Sequence, residues 1–271
     1  MSKNPLGESI SSPSHYDPSV LYPIPRWRAR SLLDIDKKIL MYGIDHWHAY
    51  ELSWLNGRGI PRIAIAEFFF NSNSENIIES KSLKLYLNSF NSEQYTKSDD
   101  LVSTITRDLS VTSKSEAKVV LYQLDELENL SLQRSGKSID EHVISILGAS
   151  PDESMLQTVS GDVHDEQLYS DLFRSNCPVT GQPDWASFEI RYSGPRIDQS
   201  SLLSYLCSYR QHMGYHEECA ERIYRDIMLQ CQPMELRIGL NFLRRGGLDI
   251  NVYRSTEPVT SDSVNPRLAR Q

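Results

Sequence analysis

One order of elements is written twice along this chain, and that repeat limits the possible folds more than any other feature of it. In the first half, residues 45–55 carry bulky side chains at alternate positions, Asn56-Gly-Arg-Gly59 is a turn signal, and residues 61–70 alternate again. The two stretches read as an antiparallel hairpin. Leu83, Tyr86, Leu87 and Phe90 then recur at helical spacing, as do Leu101, Ile105 and Leu109. Residues 117–124 and 143–147 have the apolar character of buried strands. A polar stretch with little period, 148–165, reads as a connector. The order then returns. Strand patterns cover 172–177 and 187–192, and Gly194-Pro195 turns the chain. Asp198 caps a helix through Leu202, Leu203, Leu206 and Tyr209. A second helix carries Cys219, Ile223, Ile227 and Cys231 on one stripe. Strands over 235–243 and 248–253 flank the turn Arg244-Arg-Gly-Gly247.

The repetition lies in the order of elements rather than in letters. Two β-β-α-α-β-β modules in tandem predict an α+β protein of antiparallel sheets with helices on one face. Their bounds are 41–150 and 165–256. An N-terminal arm, 1–40, precedes them: Pro5, Pro13, Pro18, Pro23 and Pro25 break regular structure, so it reads as loosely ordered. Tyr22, Ile24, Trp27, Leu32 and Leu33 could pin this arm to a surface. Sheets with open edges invite further copies to close them, so a homo-oligomer such as a homodimer is expected.

Charge narrows the partners. A formal net charge of -8 argues against a direct nucleic-acid partner or an anionic membrane surface. The first residues lack the apolar core of a signal peptide, and the chain has no apolar run long enough to span a bilayer. A cytoplasmic protein with reduced thiols is the expectation. Of the four cysteines, Cys207, Cys219 and Cys231 fall on apolar helical stripes and read as core.

Cys177 is different. It lies in Ser175-Asn-Cys-Pro-Val-Thr-Gly-Gln-Pro-Asp-Trp185, where Pro178 forbids regular helix or central strand. The segment is a shaped loop that can hold a thiol and the Asp184 carboxyl over one cavity. A nucleophilic cysteine must react as thiolate, and its reaction needs a proton source. A half-buried cysteine in an ordinary turn is the bland alternative.

Several separated stretches resemble one family. Glu79-Ser-Lys-Ser-Leu-Lys-Leu-Tyr86 is similar to the signature of the NADPH-dependent 7-cyano-7-deazaguanine reductases, the nitrile reductases of queuosine biosynthesis. Tyr50-Glu-Leu-Ser-Trp-Leu-Asn56, Ser175-Asn-Cys-Pro178 with Gln182-Pro-Asp-Trp185, Tyr215-His-Glu217 and Arg245-Gly-Gly-Leu-Asp-Ile-Asn251 resemble the long, two-module form. The resemblance covers roughly residue 40 to the C-terminus. It implies the tunnelling fold (T-fold), which is shared with GTP cyclohydrolase I. It implies Cys177 as the nucleophile that forms a thioimide with the nitrile, and Asp184 as its acid and base. It implies that Ile78, Glu79, Ser80, His216 and Glu217 contact the deazapurine substrate, and that Ser80, Lys81, Arg245 and Gly246 contact NADPH. No Gly-x-Gly-x-x-Gly is present, so the nicotinamide cofactor is held in some other way.

The residues leave two other readings open. His216-Glu-Glu-Cys219 with Cys177 has the make-up of a three-ligand zinc site, as in a cyclohydrolase-like enzyme. A non-catalytic purine- or pterin-binding module would need Glu79 and Glu217 but neither Cys177 nor Asp184. The family reading expects no metal.

Overall fold

The computed structural model describes residues 13–35, 39–122, 135–144, 150–264, 267–268 and 271. The chain is of the α+β class and divides into two compact units. The first comprises Met1–Arg28, Asp45–Leu130 and Arg244–Asp249; the second comprises Ala29–Ile44, Ser131–Leu243 and Ile250–Gln271. Among the described residues no helix is long and apolar enough to cross a membrane.

In the first unit, β2 (Tyr42–Leu55) and β3 (Pro61–Asn71) form the expected hairpin. Asn56 N–H donates to the Ile60 carbonyl at 2.9 Å, and Gly59, with a φ of +74°, completes the turn. β5 (Ala117–Tyr122) pairs antiparallel with β3. Two helices follow the hairpin, α2 (Ser80–Asn88) and α3 (Ser98–Ser113). Their buried residues include Leu83, Tyr86, Leu87, Leu101, Ile105 and Leu109, the positions set by the 3.6-residue period.

The described part of the arm is not loosely ordered. β1 (Pro23–Pro25) pairs antiparallel with β4 (Asn76–Ile78). Two prolines fit there because β1 pairs on one side only and needs few N–H donors. Leu21 and Ile24 are buried, whereas Trp27 and Leu32, two expected anchors, are exposed on the short α1 (Trp27–Leu32).

The second unit holds β6 (Lys137–Ser138), β7 (Thr158–Ser170), β8 (Arg174–Asn176), β9 (Pro183–Ile197), β10 (Glu235–Phe242) and β11 (Leu248–Ser255). The neighbours run β11–β10–β9–β7–β6, antiparallel except for the parallel β6–β7 pair. The expected connector over 148–165 is therefore half strand. β7 begins at Thr158, and its first residues are solvent-exposed, so no apolar alternation marks them. The strand expected over 143–147 is irregular at Val143 and Ile144, and the remainder lies outside the described residues. The helices are α4 (Gln199–Ser208) and α5 (His216–Gln230), and α5 packs on β10.

The repeat reaches further than element order. Glu79 caps α2 by accepting from Ser82 N–H at 2.7 Å, and Asp198 caps α4 by accepting from Ser201 N–H at 2.8 Å. Tyr86 donates to Asp108 at 2.8 Å, and Tyr205 donates to Asp226 at 2.6 Å. Beside each aspartate stands an arginine, Arg107 or Arg225, whose Nε donates to it. The letters follow: Ser82, Leu83, Tyr86, Leu87 and Ser89 match Ser201, Leu202, Tyr205, Leu206 and Ser208, and Ile105-Thr-Arg-Asp108 matches Ile223-Tyr-Arg-Asp226. The repeat therefore extends to letters as well as to the order of elements.

Candidate active site

In the second unit the chemistry-bearing residues gather where the β7–β9 connection widens. β8 runs antiparallel to the start of β9, with Ser175 opposite Asp184 and Asn176 opposite Pro183. Residues 177–182 close a tight loop between them. Cys177 N–H donates to the Gln182 carbonyl at 2.8 Å, and Gly181 N–H donates to the Cys177 carbonyl at 2.9 Å. Gly181 has a φ of +65°, which a side chain would resist. Thiol and carboxyl are thus held by one short ladder and its turn.

Asn176 ties a second segment to this loop. Its N–H donates to the His212 carbonyl at 2.8 Å, and its carbonyl accepts from Gly214 N–H at 3.2 Å. That segment leads into α5, whose first residues are His216 and Glu217. His216 Nε2 lies 3.9 Å from Asp184 Oδ1, and its ring stands edge-on to Phe242 at 4.2 Å. Asp184 and Glu217 are buried, while Cys177 is half-buried. Cys177, Asp184, His216 and Glu217, spread over some forty positions of sequence, therefore sit around one loop and one helix start.

The four thiols are not equivalent. Burial pushes Cys219 up to about 12 and Cys231 up to about 11, and it raises Cys207 as well. A thiol so shifted is a poor nucleophile at neutral pH. Cys177 alone among them is not buried. The expectation that Cys207, Cys219 and Cys231 are core residues holds.

In the first unit, Ile78 ends β4, Glu79 caps α2, and Ser80 and Lys81 open it. Glu79 is buried, and both carboxylate oxygens already accept backbone N–H bonds, from Lys81 at 2.9 Å and Ser82 at 2.7 Å. A carboxylate has about four lone-pair positions, so two remain for a further donor. Glu79 N–H donates to the Tyr22 carbonyl, and Tyr22 N–H donates to Ser82 Oγ, so the arm braces this helix start.

Arg245 and Gly246 lie in the turn before β11. Arg245 N–H donates to the Leu248 carbonyl at 2.8 Å, and Gly246 and Gly247 both have positive φ. Sequence reasoning missed two neighbours of this turn. A Cβ on Gly246 would come within 3.0 Å of Lys84 Nζ on α2, and Arg244 lies over the Tyr50 ring at 3.5 Å. Lys84 is one turn past Lys81, so the helical period could have revealed it. Lysine and arginine side chains around a glycine backbone suit a phosphate-bearing cofactor, since glycine permits close approach and the cations meet the charge.

The zinc reading does not assemble. Cys219 is fully buried with a raised pKa. Among the described residues, the histidine, cysteine and acidic side chains with metal-ligand spacing are His46, His48 and Glu67, not His216, Cys219 and Cys177.

Comparison with known proteins places both halves of the chain in one family. Residues 12–121 match the family model described as "Nitrile reductase, 7-cyano-7-deazaguanine-reductase N-term", and residues 183–260 match that of "QueF-like protein". The chain is 44% identical over 272 residues to a Bordetella pertussis protein named NADPH-dependent 7-cyano-7-deazaguanine reductase, covering 100% of this chain and 99% of the relative. It is 44% identical over 271 residues to a protein of the same name from Paraburkholderia phymatum, covering 99% and 98%. A Burkholderia cenocepacia protein of that name is 43% identical over 281 residues. With both halves matched and the likeness running end to end, the chain belongs to the family of 7-cyano-7-deazaguanine nitrile reductases.

Proposed function

We propose that this protein reduces the nitrile of 7-cyano-7-deazaguanine to the primary amine, at the expense of two NADPH. The observation that carries the reading is the loop that holds Cys177, half-exposed, beside the buried Asp184 and the His216–Glu217 helix start. Cys177 Sγ adds to the nitrile carbon, and Asp184 passes the thiol proton to the nitrile nitrogen, giving a thioimide. Each NADPH, when bound, would supply one hydride, the first for the thioimide carbon and the second for the imine carbon. Departure of the Cys177 thiolate after the first reduction yields the imine. His216 supplies a proton to the nitrogen in the second reduction. Overall, nitrile, two NADPH and two protons become amine and two NADP⁺.

Ile78, Glu79, Ser80 and Glu217 are read as contacts of the base, the carboxylates being suited to its N–H groups. Ser80, Lys81, Arg245 and Gly246 hold the cofactor phosphates. Each β-β-α-α-β-β module is read as a tunnelling fold. The working form is a homodimer in the cytoplasm, with no nucleic acid or membrane as partner. Light scattering tests the dimer. Incubation of purified protein with the nitrile base and NADPH tests the reaction, which consumes two equivalents of NADPH per amine formed.

A further inference from the structure

The first unit contains a second constellation that the proposed reduction does not use. His46, His48 and Tyr50 alternate along β2 and so share one face of the strand. Glu67 lies on the neighbouring β3, and Tyr122 lies on β5 beyond it. His48 Nε2 is 3.1 Å from Glu67 Oε1, and His46 Nε2 is 3.6 Å from the same oxygen. One ligand atom from each of the three side chains falls within 4.8 Å of the others. In a tetrahedral zinc site, bonds of about 2.0–2.2 Å put neighbouring ligand atoms roughly 3.3 Å apart, close to both spacings.

We propose that His46, His48 and Glu67 bind a divalent transition-metal ion of the zinc type, which cross-links β2 to β3. Each ligand has an outer partner that fixes its orientation. His48 Nδ1 lies 2.7 Å from Asp249 Oδ1, whose other oxygen accepts from Tyr50 OH at 2.6 Å. That arrangement turns Nδ1 toward Asp249 and leaves Nε2 as the ring nitrogen facing Glu67. Glu67 Oε2 accepts from Tyr122 OH at 3.2 Å, leaving Oε1 toward the histidines. The His46 ring stacks on Phe69 at 4.3 Å with planes 9° apart. Outer carboxylates that orient metal-bound imidazoles are a recurrent feature of such sites.

Electrostatics point the same way. His48 Nε2 and Glu67 Oε1 face each other across 3.1 Å, a spacing that a proton or a metal ion between them satisfies. Two carboxylates, Glu67 and Asp249, flank the two imidazoles, a donor set suited to a divalent ion. Two nitrogens and one oxygen favour zinc, cobalt or nickel over calcium or magnesium. Both histidines are buried and Glu67 is partly exposed, so the cluster meets solvent on the Glu67 side. The ion is a strand cross-link, outside the hydride chemistry.

The test uses the full chain, stripped with a chelator and titrated with Zn²⁺ and, separately, Co²⁺. The expected result is saturable uptake of one equivalent and a rise in melting temperature on zinc addition. The cobalt form should show the intense visible bands of a four-coordinate nitrogen and oxygen site, without thiolate charge transfer. His46→Gln and His48→Gln should each weaken binding at least about tenfold, and Asp249→Asn by about 10–100-fold. No saturable uptake by the native chain would mean that a proton alone fills the gap, and would overturn the site. Thiolate bands in the native cobalt form would place the ion on the cysteines instead. Both of those readings need no variant to fold.

Discussion

The helix pairs α2–α3 and α4–α5 share a frame and differ in what is mounted on it. Each first helix opens on an acidic cap, and each pair is bolted by a tyrosine–aspartate hydrogen bond beside an arginine. The third partner of that bolt differs. In the second unit it is Tyr209, at the end of α4, bonded to Tyr205 at 2.8 Å. The matching residue in the first unit is Phe90, which has no hydroxyl, and Tyr16 from the arm supplies one to Asp108 at 2.5 Å. The hairpin connections diverge more. In the first unit a single tight turn, closed between Asn56 and Ile60, joins the strands, whereas in the second the connection grows into β8 and the Cys177 loop. At matched positions opening the second helix, Ser98 and Asp99 stand where the other unit has His216 and Glu217, and Asp99 is exposed while Glu217 is buried. What repeats is the part that folds, and what fails to repeat carries the proposed chemistry.

Removing the thiol should break this contrast most completely. Cys177→Ala is expected to abolish amine formation while leaving the melting temperature close to native, because a loop residue contributes little packing. Continued substrate-dependent NADPH oxidation in that variant would remove Cys177 from the reaction. Asp184→Asn keeps the shape but not the proton transfer, and single-turnover rates should fall by about 10²–10⁴-fold. A native rate across neutral pH would exclude Asp184 as acid and base.

The two caps sharpen the comparison. Glu79→Leu and Asp198→Leu each remove a cap, worth about 1 kcal/mol of stability. Only Glu79→Leu should also weaken binding of the deazapurine at least tenfold, or about 1.4 kcal/mol. Equal effects of the two on calorimetrically measured binding would reduce Glu79 to a structural cap. The smallest effect is expected at the bolts. Tyr16→Phe and Tyr209→Phe each delete one hydroxyl and should cost about 1 kcal/mol in urea unfolding. A negligible change in Tyr16→Phe would mean that the arm does not complete the first unit's network.

Much of this was legible from letters because it depends on local periodicity. The β2–β3 turn, both helix pairs and the Asp198 cap follow from spacing within a dozen residues. The start of β7 was hidden because its exposed residues show no apolar alternation, and β1 because prolines disguise a strand that pairs on one side. Cys177, Asp184, His216 and Glu217 were visible as a set only through family resemblance. Their meeting depends on the Asn176–His212 backbone bond, which joins segments distant in sequence. The His46–His48–Glu67 cluster was missed for a related reason: it depends on which residues face one another across separate strands, and no single stretch records that.

The central claim is that the loop peculiar to the second unit provides the nucleophile. The direct measurement is the intact mass of the protein mixed with 7-cyano-7-deazaguanine in the absence of NADPH, followed by peptide mapping. The account predicts a gain equal to one molecule of the base, located on the peptide containing Cys177 and lost when NADPH is added. An unmodified mass, or an adduct on Cys207, Cys219 or Cys231, would contradict it.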